Sequence, residues 1–183
     1  MHRAIFVDRD GTVSEEVGYM YHAGLYKPFP WTGPAIRRIN DSEFKAILTT
    51  NQSGVSRGYF TEKTIAEVHD VLKQNLAKSG AHLDAIYYCP HGPNDGCDCR
   101  KPKAGMLLRA AQDHDIDLNG SLVIGDRFLD LEMARSVGAR GVLVKSGDGA
   151  NELTRHAGDE LQPQFVAENL LDAVEAILEG RVG

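Results

Sequence analysis

Five short apolar runs recur along the chain: Ala4 to Asp8, Lys45 to Thr50, Leu83 to Cys89, Ser121 to Asp126 and Gly141 to Lys145. Each is nearly continuous in hydrophobicity and rich in β-branched residues, as expected of strands buried on both faces of a parallel sheet. The stretches between them carry apolar residues three and four apart. The clearest, Thr61 to Lys78, has Thr61 as its N-cap and places Ile65, Val68, Leu72 and Leu76 on one face. Ala104 to His114, Leu131 to Val137 and Leu170 to Leu178 read the same way, the last behind an Asn169 cap. This alternation predicts an α/β fold, a doubly wound parallel sheet with helices on both faces.

In such sheets ligands gather at the carboxyl ends of the strands. The unusual residues of this chain fall there: Asp8 and Asp10, then Thr50 to Ser53, then a Cys/His-rich loop, then Gly125 to Arg127. The connection from Gly11 to Trp31 is long and aromatic, yet too short for a folded cap domain; it reads as a loop that touches substrate.

Length and charge narrow the picture. With 183 residues, 42% hydrophobic and 25% charged, the chain is expected to form a single soluble domain over residues 1–183. The N-terminus reaches charge after four apolar residues, giving neither a signal-peptide core nor a spanning helix, so no membrane partner and a cytoplasmic location are expected. A net charge of −6 disfavours nucleic acid, whose non-specific binding needs a basic surface. It leaves phosphorylated small molecules open, because a local cluster of cations and amides can hold one phosphate. The lack of a cap domain points to a monomer.

The candidate chemistry begins with "DRDGT", Asp8 to Thr12. Two close carboxylates repel unless a cation or proton lies between them. They suit a hard-metal site, a pair in which one group is ionised and the other acts as an acid, or simply a solvated strand end with an Asp-Gly turn. "TTNQSG", Thr49 to Gly54, offers hydroxyl, amide and backbone donors to phosphate oxygens, although polar turns follow most strands. Asp126 could complete an oxygen set for Mg²⁺ or cap a helix, and Asp130 reads as the N-cap of the helix that follows.

All three cysteines of the chain lie in one loop: Cys89-x-His91, five residues, then Cys97-x-Cys99. Three thiolates and one imidazole are a tetrahedral zinc complement, and four protein ligands leave no open position, so the expected role is structural. Cysteines packed beside a surface histidine are the alternative. His2, His69, His82, His114 and His156 lack such company and read as surface or partly packed residues.

Taken together and in order, "DRDGT", "TTNQSG", "RKP" and "VIGDR" resemble the motifs of the haloacid dehalogenase superfamily of phosphotransferases, and span Asp8 to Arg127. "CPHGPNDGCDCRKP" resembles its zinc-loop branch, whose members act on heptose bisphosphate or on histidinol phosphate; "TNQSGVSRGYFTE" and "EEVGY" are more similar to the heptose type. The resemblance implies that Asp8 is a nucleophile, Asp10 an acid–base group, and Thr50 and Lys101 phosphoryl contacts. It implies catalytic Mg²⁺ held by the Asp8 side chain, the Asp10 carbonyl and Asp126, and structural Zn²⁺ on Cys89, His91, Cys97 and Cys99. It further implies a phosphorylated-sugar partner contacted by Glu16, Val17, Gly18, Tyr19, Asn51, Gln52, Ser53, Arg100 and Arg127.

Overall fold

The computed structural model describes residues 1–182. Six strands form one sheet: β1 (Arg3–Val7), β2 (Phe44–Asn51), β3 (Ala85–Cys89), β4 (Leu122–Gly125), β5 (Arg140–Val144) and β6 (Phe165–Ala167). Their order is β3-β2-β1-β4-β5-β6, and every pairing is parallel. The five apolar runs are the first five strands. Six helices connect and cover them: α1 (Thr32–Asn40), α2 (Glu62–Lys78), α3 (Gly105–His114), α4 (Phe128–Ser136), α5 (Gly149–Arg155) and α6 (Leu170–Leu178).

Because strand side chains alternate, each strand feeds two cores. Ile5, Val7, Leu48, Ile124, Val142 and Val144 pack with Ile36, Leu72 and Val174 of α1, α2 and α6. Ala4, Phe6, Ile47 and Val123 pack with Leu107 and Met133 of α3 and α4 on the opposite face. The sheet is therefore doubly wound, as expected. The expected caps of α2 and α6 are present: Thr61 accepts from the Thr64 amide, and Asn169 from those of Leu171 and Asp172.

Between β1 and α1 the described residues form a loop with one 3₁₀ turn, Ala23–Leu25. It is tied down locally, with the Arg9 carbonyl accepting from the amides of Thr12, Val13 and Ser14. No helix is long and apolar enough to cross a membrane among the described residues.

Two expectations need correction. The helix after β4 starts at Phe128, not Leu131, and Asp130 is not its cap. The N-cap position is Arg127, which makes no side-chain cap bond; the Phe128 amide instead donates to Glu152 Oε2 of α5 at 2.7 Å. A carboxylate distant in the chain thus does the work the local pattern assigned to Asp130. His69, expected at the surface or partly packed, is instead buried: it lies 5% exposed on the buried face of α2.

Candidate active site

Asp8 follows β1 directly, and its amide donates to the Ile124 carbonyl at 2.9 Å, locking the ends of β1 and β4 together. Asp126 follows β4. Its Oδ2 accepts from the Asp148 amide at 2.9 Å, while Oδ1 is buried with no hydrogen-bond partner. Gly11 turns the chain away at φ +83°, and a Cβ there would stand 2.1 Å from Asp126 Oδ2. Only glycine satisfies both the backbone conformation and this close approach.

A third carboxylate joins the pair. One oxygen from each of Asp8, Asp126 and Asp130 lies within 4.8 Å of the others. Asp130 sits on the first turn of α4, 1% exposed, with Oδ1 2.6 Å from Lys101 Nζ. Lys101 Nζ also donates to Asp8 Oδ1 at 2.7 Å and to the Thr49 carbonyl at 2.9 Å. All three of its donors are used, so the ammonium has one fixed position.

Electrostatics follow from this crowding. Burial raises the Asp8 pKa to about 7, with Lys101 opposing the rise and Asp130 and Asp10 adding to it. Burial and then the charge of Asp8 push Asp126 up to about 8. Burial works against the Lys101 charge, but Asp130 and Asp8 more than offset it and hold the lysine protonated well above its usual range. Clustered acids with raised pKa values, plus an unpartnered buried oxygen on Asp126, are what a hard divalent cation would relieve. The Asp8/Asp126 part of the expected Mg²⁺ set fits, and Asp130 stands beside it.

These groups floor a cleft of about 450 Å³. Asp10, Thr50, Asn51, Gln52, Ser53, Glu16, Gly18, Tyr19, Arg100 and Arg127 also line it, so nearly every residue singled out from the sequence converges here. Val17 is the exception: it packs against the apolar core instead of facing the cleft. Asn51 has a second engagement, with Oδ1 accepting from the Lys101 amide at 3.1 Å and Nδ2 donating to the Lys101 carbonyl at 3.4 Å. Arg127 lines the cleft and also pairs with Asp148 at 3.3 Å. Burial and the nearby Asp10 raise the pKa of Glu16.

Sequence reading missed Asp130, Phe60 and Leu129 as lining residues. In "GDRFLD" Asp130 stands on the first turn of a helix that opens two residues after Asp126, so the turn carries a second carboxylate back toward the strand end.

Beside the cleft, at the end of β3, Cys89, His91, Cys97 and Cys99 present ligand atoms that all lie within 4.8 Å of one another. Cys89 Sγ stands 2.8 Å from Cys99 Sγ and 3.7 Å from Cys97 Sγ, and His91 Nδ1 is 3.2 Å from Cys99 Sγ. Four soft donors facing one point are a candidate metal centre. Arg100 and Lys101 follow it immediately, and Arg100 Nη1 donates to the His91 carbonyl at 3.2 Å.

A parallel sheet whose strand ends bring paired carboxylates to a buried lysine is the arrangement that the resemblance to haloacid dehalogenase-like hydrolases implies. A HAD-hydrolase-like family profile matches residues 98–173. The D-glycero-D-manno-heptose-1,7-bisphosphate 7-phosphatase of Thermosynechococcus vestitus is 40% identical over 185 residues, covering 95% of this chain and 94% of that protein. The D-glycero-beta-D-manno-heptose-1,7-bisphosphate 7-phosphatase of Pseudomonas aeruginosa is 39% identical, covering 84% of this chain and 87% of that one. The crystal structure of D,D-heptose 1,7-bisphosphate phosphatase from B. bronchiseptica, complexed with magnesium and phosphate, superposes with a TM-score of 0.90 at 36% identity, covering 97% of this chain and 99% of that one. The chain belongs to this family of heptose-bisphosphate phosphatases within the haloacid dehalogenase-like hydrolases.

Proposed function

We propose that this chain is a Mg²⁺-dependent phosphatase that removes the 7-phosphate of D-glycero-D-manno-heptose 1,7-bisphosphate through an aspartyl-phosphate on Asp8. The observation that carries the reading is similarity over 97% of the chain to a heptose-bisphosphate phosphatase crystallised with magnesium and phosphate. The cleft fits it, with carboxylates, a buried cation and two arginines among its lining residues. One domain over residues 1–183, cytoplasmic and monomeric, completes the reading.

In this mechanism the Asp8 carboxylate attacks phosphorus, splitting one hard displacement into two easier ones. Asp10 gives its proton to the leaving alkoxide and then takes one from the water that hydrolyses the phosphoenzyme. Lys101, on exchanging its bond to Asp8 for one to the phosphate, and Thr50 hold phosphoryl oxygens; one well-placed donor of this kind contributes roughly 3 to 4 kcal/mol to transition-state stabilisation. Asp8, the Asp10 carbonyl and Asp126 would hold Mg²⁺, which when bound neutralises the charge of the approaching phosphate dianion. Arg100 suits the second phosphate, because a guanidinium binds phosphate through two parallel hydrogen bonds. Cys89, His91, Cys97 and Cys99 would hold Zn²⁺, which with four protein ligands would be structural and would restrain where Arg100 and Lys101 point.

The enzyme class is tested with p-nitrophenyl phosphate. Release of phosphate should require Mg²⁺ and be lost in Asp8→Asn. Failure of this ester and of a panel of phosphorylated metabolites would favour a zinc-stabilised binding module instead.

A further inference from the structure

Arg9 separates Asp8 and Asp10 in the chain, and it is the largest fully buried side chain of the protein, at 2% exposure. A guanidinium buried this far is costly unless it is paired and hydrogen-bonded. Its side-chain hydrogen bonds go to a single group: Nε donates to Asp10 Oδ1 at 3.1 Å and Nη2 to Asp10 Oδ2 at 2.9 Å. Gln52 Nε2 donates to the same Oδ2 at 3.0 Å and to Thr50 Oγ1 at 2.9 Å.

Three donors therefore fix the plane of the Asp10 carboxylate, and two of them belong to one rigid fork that a lysine cannot reproduce. The turn after β1 does not need that fork. It is held by the Arg9 carbonyl, which accepts from the amides of Thr12, Val13 and Ser14 whatever the side chain. The buried cation is thus free of the structural task nearest to it.

We propose that Arg9 is a positioning residue which, with Gln52, orients Asp10 for proton transfer and acts on the reaction only through Asp10. This rests on the reading of Asp10 as the acid–base group. Its signature is a dependence on the leaving group. A sugar alkoxide needs a proton as it departs, whereas p-nitrophenolate leaves with little help, so misorienting the acid should penalise the first far more than the second.

The experiment measures kcat and KM of wild type, Arg9→Met, Arg9→Lys, Asp10→Asn and the Arg9→Met/Asp10→Asn double variant on heptose 1,7-bisphosphate and on p-nitrophenyl phosphate. General acid–base catalysis contributes about 10²–10⁴-fold, so Arg9→Met should lose about 10²-fold in kcat/KM on the sugar ester. The loss in kcat/KM on the aryl ester should be about tenfold or less, because kcat/KM reports formation of the phosphoenzyme and p-nitrophenolate departs without the acid. KM should be nearly unchanged, and Arg9→Lys should recover part of the loss.

In the Asp10→Asn background, Arg9→Met should cost nothing further, because the two residues act as one unit. Equal losses on both esters, or a further loss on top of Asp10→Asn, would overturn the proposal. Thermal unfolding checks that each variant is folded; if Arg9→Met is not, Arg9→Lys carries the same comparison with the charge retained. Wild-type turnover of both esters, with a leaving-group split in Asp10→Asn, establishes the underlying reading separately from Arg9.

Discussion

Lys101 and Asp130 form an ion pair at 2.6 Å in which the lysine side chain is 4% exposed and the aspartate 1%. They come from different elements, the loop after β3 and the first turn of α4, and their pairing is what carries Lys101 to within 2.7 Å of Asp8. A lysine with a flexible four-carbon stem would otherwise sample many positions.

Asp130→Asn should keep the fold, since Asp8 still balances the ammonium, but lower stability by roughly 2 kcal/mol, the scale of one hydrogen bond to a charged group. Turnover should fall about tenfold, less than the roughly 10²–10³-fold expected of Lys101→Met, which removes the donor itself. Urea unfolding and steady-state kinetics on the two variants check both statements. Wild-type kcat in Asp130→Asn would show that Lys101 needs no such support.

His69 gives a pH signature that has nothing to do with catalysis. Burial, reinforced by the charges of Arg9 and Lys73, lowers its pKa from 6.5 to about 3. Between those values the unfolded chain takes up a proton that the folded one refuses, so this residue's contribution to stability falls as pH falls. His69→Leu removes the effect. The stability difference between wild type and variant should change by on the order of 3 kcal/mol between pH 7 and pH 4, wild type losing ground at the acid end. Denaturant titrations at several pH values measure it; a difference independent of pH would contradict the assignment.

The Cys₃His loop and Asn51 restrain the same short segment from two sides. On the proposed reading, Cys97→Ser, or a zinc-selective chelator with Mg²⁺ held in excess, should cut phosphatase activity by about tenfold or more, by releasing the segment that carries Lys101, the proposed phosphoryl contact. The fold should survive, because the two large apolar cores do not include this loop. Asn51→Ala, which removes both side-chain bonds to the Lys101 backbone, should make activity more sensitive to the chelator. Metal analysis alongside activity checks this, and full activity in demonstrably zinc-free protein would refute it.

The strands could be read because each is buried on both faces and therefore nearly continuous in apolar residues. α1 was equally readable, with Thr32, Ala35, Ile36 and Ile39 buried at helical spacing, but "TGPAIRRIN" carries Gly and Pro in its first turn and drew no assignment. β6, three residues at the sheet edge, and α5, seven residues, are too short for either period to declare itself. At the site, groups that project from strand ends were found, whereas groups that work through distant partners were not. Asp130 looked like a cap until Lys101, 29 residues away, claimed it. Arg9 is a different case: its partner Asp10 is the next residue, but only the fold buries the guanidinium and turns it onto that carboxylate. Val17 differs in the opposite way: its neighbours Glu16, Gly18 and Tyr19 line the cleft, whereas Val17 packs against the apolar core, which a run of adjacent loop residues does not announce.

The central claim is tested most directly by following the phosphates of heptose 1,7-bisphosphate by ³¹P NMR with purified enzyme and Mg²⁺, and comparing kcat/KM with that for histidinol phosphate. The expected result is loss of the C7 ester alone, the C1 phosphate remaining, with kcat/KM well above that for histidinol phosphate. A clear preference for histidinol phosphate, or release from C1, would contradict it.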